Sequence, residues 1–424
     1  MNNVFAEFQW RGMLYDNTEG LLDILAKEKV TAYIGFDPSA SSLHVGSLLP
    51  IMGLVHLQRH GHTPIAVIGG GTGLIGDPSG KSQERPLLTK EQVEQNLEGI
   101  REQLKRFLDF HNNTNPAIMV NNADWLCTVP MVDFLRDIGK YFSVNYMVAK
   151  ESIKRRIEQD DGISFTEFSY LILQAYDFLV LFDRYNCILQ MGGSDQWGNI
   201  TAGIDLIRRF RGAKAHGLVF PLVETSSGTK FGKTEQGTIW LDAQITSPYR
   251  FYQFWFNADD EDVITYLKHF TLLSNETIEE LAGSIRTQPE KRKAQRKLAQ
   301  EVTRLVHGDS ELQKAEQASR ILFGEEISNL VVSDILDIFA DVPSSELDKS
   351  LFSGDGMSFT DMIVTSGLVK SRGEARRLIQ GGGLYLNNRR ITDTQYNVVL
   401  SEGIEGQVFI VRKGQKQYHV LRVT

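Results

Sequence analysis

The chain has 424 residues, 42% hydrophobic and 23% charged, an ordinary globular composition on a length that exceeds one core and predicts two or three domains. No apolar run approaches the length of a membrane span, the opening MNNVFAEFQWRG lacks a basic-then-hydrophobic leader, and Cys127 and Cys187 form no CxxC or Cys/His cluster. These features argue against a membrane protein, a disulfide scaffold and a structural zinc site, and predict a reducing, cytoplasmic setting. The net charge of -8 argues against a general nucleic-acid binder, yet residues 357–424 hold ten Lys plus Arg against five Asp plus Glu, a net +5 that leaves -13 elsewhere. A basic end on an acidic body predicts that one end handles a polyanion.

In chain order, TAYIGF reads as a strand followed by a helix over 46–60, and PIAVIGG as a strand followed by the charged helix TKEQVEQNLEGIREQLKRFL. AIMVNNADW then leads into VPMVDFLRDIG, and ISFTEFSYLILQAYDFLVLF precedes CILQMGG and GNITAGIDLIRRF. This alternation predicts an α/β, doubly wound, Rossmann-like parallel sheet over 1–220, whose ligands sit beyond the carboxyl ends of the strands. Residues 221–247 read as a loop connection, 248–322 as a helical domain and 323–355 as an acidic, Ser-rich linker with one short helix. Residues 356–424 read as a small α+β module: helices FTDMIVTSG and SRGEARRLIQGGG, then strands LYLNNRRI, QVFIVRKG and YHVLRV.

Three loops could hold phosphate. LHVGSLLP places His44 and Gly46 at a helix N-terminus, where unpaired N–H groups and a partial positive charge favour an anion, and Pro50 needs no N–H in a first turn. The competing reading makes His44 a simple cap. VIGGGTGLIGDPSGKS contains GTGLIG, but Gly76 runs into a turn rather than a helix, and the GKS ending stands one residue too close to Gly76 for a P-loop. What remains is a glycine loop bearing Asp77, Lys81 and Arg85. GTKFGKTEQGT sets Lys230 and Lys233 about a glycine hinge that could close over a polyphosphate, or could be a hairpin with solvated lysines.

The helix SFTEFSYLILQAYDFLVLF opens with Ser164 and Glu167 at capping-box spacing and carries Tyr170, Gln174 and Asp177 on one face. Apolar residues fill nearly every other direction, predicting burial nearly all round. A buried phenol, amide and carboxylate then require a polar ligand or one another. In LQMGGSDQWGNI, Gly192 and Gly193 permit close approach, and Asp195 can accept from two vicinal hydroxyls or cap the next helix.

Taken together, these stretches resemble the bacterial tyrosyl-tRNA synthetases, a class I aminoacyl-tRNA synthetase family, over essentially the whole chain. YIGFDPSASSLHVGS resembles the HIGH-type signature, GGGTGLIGDPSGKSQER the glycine loop, FSYLILQAYD the tyrosine-pocket helix, QMGGSDQWGNI the ribose loop and KFGKT the KMSKS-type loop. LVKSRGEARRLIQGGGLYLNNRRI resembles a small RNA-binding module. The resemblance implies a tyrosine–tRNA ligase that uses ATP with Mg2+, L-tyrosine and tRNA(Tyr), as a cytoplasmic homodimer with no tightly bound cofactor and no metal held by the protein.

It further implies that Tyr33 and Asp177 read the substrate phenol, while Asp77, Tyr170 and Gln174 hold its ammonium group and Gln196 belongs to the same amino-acid pocket. Asp195 and Gly193 would bind ribose, with Gly35, Asp37, Gly46 and Ser47 on the adenylate side. Ser39, His44, Lys81, Arg85, Lys230, Lys233 and Thr234 would stabilise the pyrophosphate end. Ser47 stands where the second histidine of the HIGH-type signature is expected, and Ser39 where a threonine is. Activation of a carboxylate, already a nucleophile, needs positioning and charge stabilisation rather than a Ser/His/Asp arrangement. The alternatives are a tryptophanyl-tRNA synthetase, a dinucleotide oxidoreductase built on GTGLIG, and an RNA-binding protein explained by the basic end alone.

Overall fold

The computed structural model of the chain describes residues 3–80, 83–160, 162–226, 231–234, 237–322, 327, 331–339, 342–414 and 417–424. These fall into two compact units, 1–246 with 255–306 and 247–254 with 307–424.

The first unit is built on six strands: β1 (Asp16–Asn17), β2 (Thr31–Phe36), β3 (Thr63–Ile68), β4 (Ile118–Asn121), β5 (Cys187–Gly193) and β6 (His216–Phe220). They lie in the order β1-β6-β5-β2-β3-β4, parallel except for the antiparallel edge β1. From β2 the chain winds outward through β3 to β4, then returns to lay β5 on the other side of β2. The crevice beyond the ends of β2 and β5 is therefore the topological switch point, where such sheets bind ligands.

Each crossover is helical for local reasons. Helix Leu48–Arg59 buries its residues Leu48, Leu49, Ile51 to Leu57 against the sheet. Helix Lys90–Leu104 opens with the Thr89/Gln92 capping box and buries Val93, Leu97, Ile100 and Leu104 at helical spacing.

Helix Phe165–Tyr185 departs from expectation at its start. Ser164 accepts from the Glu167 N–H, but the Glu167 side chain does not close the capping box. It turns instead to Arg156, which grips it through Nε (2.9 Å) and Nη2 (3.2 Å) with both residues buried. Burial nearly all round holds for its middle, where Leu171, Ala175 and Phe178 to Leu181 enter the core, and ends at Phe165, which is 76% exposed. Its length and mean hydropathy of 1.2 would suit a bilayer crossing, but half of that apolar window is buried inside the protein. The C-terminal turn closes on Asn186 in the left-handed region at φ 50°.

A hairpin of β7 (Lys233–Thr234) and β8 (Gly237–Thr238) belongs to this unit. The second unit contains β9 (Ser344–Leu347), β10 (Met357–Ser358), β11 (Leu384–Leu386), β12 (Arg389–Ile391), β13 (Asn397–Val398), β14 (Val408–Lys413) and β15 (Gln417–Val423). Five form a sheet, β12-β11-β14-β15-β9, and β10 pairs with β13. Helices Phe359–Thr365 and Arg372–Gln380 contribute Phe359, Met362, Ile363, Ala375 and Ile379 to a core shared with Leu384, Phe409 and Leu421. Ala375 and Ile379, four residues apart, turn one face of the second helix inward. Arg372, Arg376 and Arg377 stay exposed on it.

Candidate active site

A cavity of about 840 Å³ lies at the switch point. Strand β2 and its outgoing loop line it with Tyr33, Gly35, Asp37 and Ser39, and the LHVGS turn with His44, Gly46 and Ser47. The glycine loop adds Asp77 and Arg85, helix Phe165–Tyr185 adds Tyr170, Gln174 and Asp177, and β5 with its following loop adds Gly193, Asp195 and Gln196. Four regions far apart in sequence thus meet at one place.

The LHVGS turn resolves the question of His44. Its Nδ1 accepts the Gly46 N–H at 3.0 Å, capping the short 3-10 turn Val45–Ser47 that leads into helix Leu48–Arg59. A Cβ on residue 46 would lie 2.7 Å from the imidazole Cε1, so only glycine allows this approach. With Nδ1 committed as an acceptor, the neutral ring carries its proton on Nε2. Capping and donating are therefore compatible tasks of one ring.

At the inner end, the hydroxyl of Tyr33 is buried without a hydrogen-bond partner among the described residues. Burial, and then the nearby Asp177 charge, push this phenol well above its ordinary pKa. Asp177 accepts from Trp125 Nε1 at 2.7 Å and from Asn122 Nδ2 at 3.0 Å. Burial pushes its pKa up to about 7, against the pull of those two donors.

The polar stripe on the helix is satisfied from other elements rather than from within. Tyr170 donates its hydroxyl to Asp37 Oδ2 at 2.8 Å. Gln174 donates to Gln196 Oε1 at 3.2 Å and accepts from Asn199 Nδ2 at 3.0 Å. Gln196 in turn donates to Asp77 Oδ2 at 2.7 Å, and Asp77 Oδ1 accepts the Ser79 N–H at 2.9 Å. Asp37 also accepts from Thr72 at 2.7 Å, and burial raises its pKa to about 6. Phenolic, amide and carboxylate groups thus form a rim able to hold an ammonium group.

Toward the open end, Arg85 donates through Nη1 to Ser39 Oγ (2.8 Å) and through Nε to the Asp77 carbonyl (3.2 Å). These bonds fix the guanidinium beside the β2 loop. Lys233 and Thr234 of the KFGKT stretch pair with Thr238 and Gly237 in the β7–β8 hairpin that the sequence allowed. The segment beyond it pairs with the LHVGS turn: Val45 donates to the Ile239 carbonyl and Leu241 to that of Leu43. Lys81 and Lys230 lie outside the described residues, and Lys233 and Thr234 are described in backbone only.

Five cavity-wall or supporting residues escaped sequence reasoning: Thr72, Asn122, Trp125, Gln190 and Asn199. Gln190 offered a signal, since CILQM puts one amide inside an apolar strand; it is 2% exposed, and its Oε1 has no partner among the described residues. Asn122 and Trp125 offered none, because their roles depend on contacts across the fold.

The chain matches the profile of the class I tRNA synthetases (W and Y) over residues 25–324, and that of the tyrosine–tRNA ligase SYY-like C-terminal domain over residues 334–421. It is 56% identical to the tyrosine–tRNA ligase of Roseiflexus castenholzii over 100% of both chains, and 51% identical to tyrosine–tRNA ligase 1 of Bacillus subtilis over 99% of both. Among solved structures, it resembles a C-terminally truncated mitochondrial tyrosyl-tRNA synthetase of Aspergillus nidulans, with TM-score 0.70, 30% identity, and coverage of 76% of this chain and 95% of that one. A tryptophanyl-tRNA synthetase from Encephalitozoon cuniculi shares the fold at TM-score 0.52 and 15% identity, covering 73% of this chain and 87% of that one. With full-length relatives of the tyrosine type, and a terminal domain of that type as well, the chain belongs to the tyrosine–tRNA ligase family of class I aminoacyl-tRNA synthetases.

Proposed function

We propose that this cavity activates L-tyrosine with ATP, releasing pyrophosphate, and then passes the tyrosyl group to the terminal adenosine of tRNA(Tyr). The observation that carries the reading is the inner end of the cavity. There the Tyr33 hydroxyl has no partner among the described residues, and Asp177 is held in place by Trp125 and Asn122. A phenol entering there donates to Asp177 and accepts from Tyr33. Phenylalanine would leave both groups unpaired in a buried place.

Asp77, Tyr170, Gln174 and Gln196 then hold the ammonium group, which leaves the carboxylate pointing toward the nucleotide. Gly35, Asp37, Gly46, Ser47, Gly193 and Asp195 take the adenosine and its ribose. The carboxylate attacks the α-phosphate in line, and the departing pyrophosphate gathers charge that Ser39, His44, Lys81, Arg85, Lys230, Lys233 and Thr234 stabilise. His44 contributes through Nε2–H, the proton its cap geometry selects. Positioning and fixed positive charge perform the chemistry, with no covalent intermediate on the protein.

Magnesium enters with ATP, neutralising its phosphates. Among the described residues no group of three or more His, Cys, Asp or Glu is placed to hold a metal ion.

In this reading residues 1–220 bind ATP and tyrosine, 221–247 carry the KMSKS-type loop, 248–322 form a helical domain, 323–355 connect while lending β9 to the terminal sheet, and 356–424 meet tRNA through Lys370, Arg372, Arg376, Arg377, Arg389 and Arg390, all exposed. Helix Met131–Asp137 buries none of its residues, and Met131 is 74% and Val132 69% exposed. This apolar face takes a second copy of the chain, giving a homodimer that works in the cytoplasm. Exchange of labelled pyrophosphate into ATP tests the reading: it should require tyrosine and stay at background with phenylalanine or tryptophan. Exchange that proceeds equally well with tryptophan would overturn it.

A further inference from the structure

Asp177 and Asp37 stand at different parts of the cavity, and two buried side chains join them. Asn122 Nδ2 donates to Asp177 Oδ2 at 3.0 Å and to Thr72 Oγ1 at 2.9 Å. Thr72 Oγ1 donates to Asp37 Oδ1 at 2.7 Å. The direction of every link is fixed. Asn122 Oδ1 accepts the Gly71 N–H at 2.8 Å, which identifies the other amide atom as NH2. Because the Thr72 oxygen accepts from that NH2, its own proton goes to Asp37.

We propose that Thr72 is a positioning residue for tyrosine activation: through Asn122 it ties the carboxylate that reads the phenol to the carboxylate on the adenylate side, and holds both as acceptors. The proposal rests on the assigned reaction and deepens it.

The glycine run ahead of Thr72 supports this reading independently. A Cβ on Gly69 would lie 2.0 Å from Asp37 Oδ1 and 2.5 Å from Thr72 Oγ1, so residue 69 leaves room for that one hydrogen bond. Part of the run that suggested a phosphate loop is thus required by the relay.

The relay matters because both carboxylates are buried, where the charged form is disfavoured. Asp37 faces Asp77, which raises its proton affinity, and Arg85, which lowers it, while Tyr170 and Thr72 donate to it. Asp177 faces Tyr33, Tyr170 and, more remotely, Asp37, with Asn122 and Trp125 as its donors. Removing the Thr72 hydroxyl takes one donor from Asp37 and leaves an Asn122 N–H without its acceptor. The donor aimed at Asp177 is then oriented by the Gly71 N–H alone.

The test is the pH profile of kcat/KM for tyrosine-dependent pyrophosphate exchange by the full-length chain. For Thr72→Val, the acid limb should move up by about one pH unit and kcat/KM at pH 7 should fall roughly tenfold, as one charge-assisted hydrogen bond is lost. Thr72→Ser, which restores the hydroxyl, should return the limb to its original place. Thr72→Cys, a weaker donor of similar size, should lie between, which keeps the test open if the valine variant folds poorly. An acid limb in Thr72→Val or Thr72→Cys that coincides with that of the unmodified chain overturns the relay, as does failure of Thr72→Ser to rescue. Exchange by the unmodified chain that ignores tyrosine overturns the assigned reaction instead, and the inference with it.

Discussion

Tyr33 of β2 and Gln190 of β5 are paired residues on neighbouring parallel strands, and each buries a polar atom that has no hydrogen-bond partner among the described residues. Such atoms cost stability in the unliganded protein and are recovered when a ligand reaches them. Tyr33→Phe and Gln190→Met should therefore leave thermal stability unchanged or raise it by about 1 kcal/mol, while lowering kcat/KM for tyrosine roughly tenfold. Calorimetry alongside exchange kinetics checks both halves. Loss of stability in either variant would mean that its polar atom already has a partner.

Asp37 near pKa 6 and Asp177 near 7 predict the acid side of the activity profile. Each is needed as a charged acceptor, so protonation removes function, and activity falls as pH drops through this window. Below pH 6 the decline in kcat/KM for tyrosine should be steeper than the tenfold per pH unit of a single group, and the apparent values belong to the pair. A profile flat from pH 8 to pH 5 would contradict the assigned acceptors.

Gly46 and His44 should behave as one unit. Truncating His44→Ala should cut kcat about 10²–10³-fold with little change in KM for tyrosine, because the donor acts on charge that develops late. Gly46→Ala puts a methyl against the ring and should produce a loss of the same order. The double variant should be scarcely worse than either alone, a non-additivity that steady-state kinetics reads directly.

The buried Arg156–Glu167 pair ties helix Glu151–Ile157 to the start of helix Phe165–Tyr185. Arg156→Met leaves a buried carboxylate without its principal counter-ion and should destabilise by about 3–5 kcal/mol in urea unfolding. Adding Glu167→Leu should restore most of that loss. If the double variant were no better than the single, the pairing would not be what stabilises this junction.

On the basic module, reversing Arg376→Glu together with Arg377→Glu should leave pyrophosphate exchange intact while weakening tRNA charging. The dependence of charging on salt should become shallower by roughly one phosphate contact per arginine. Equal loss in exchange and charging would place these residues elsewhere in the mechanism.

Sequence alone determined the alternation of strands and helices, the loops at strand ends, the polar stripe of Tyr170, Gln174 and Asp177, and the basic terminal segment, because each is written in local periodicity or composition. Tertiary structure alone decided how that stripe is satisfied: Tyr170 turns to Asp37, Gln174 to Gln196 and Asn199, and Asp177 to Asn122 and Trp125. It also sent Glu167 to Arg156 instead of its own cap, and gave part of the glycine run a packing role beside Asp37. The reason is physical. Periodicity fixes which face of an element is apolar, whereas the partner of a buried polar group is chosen by which distant strand or loop the fold brings within hydrogen-bonding distance.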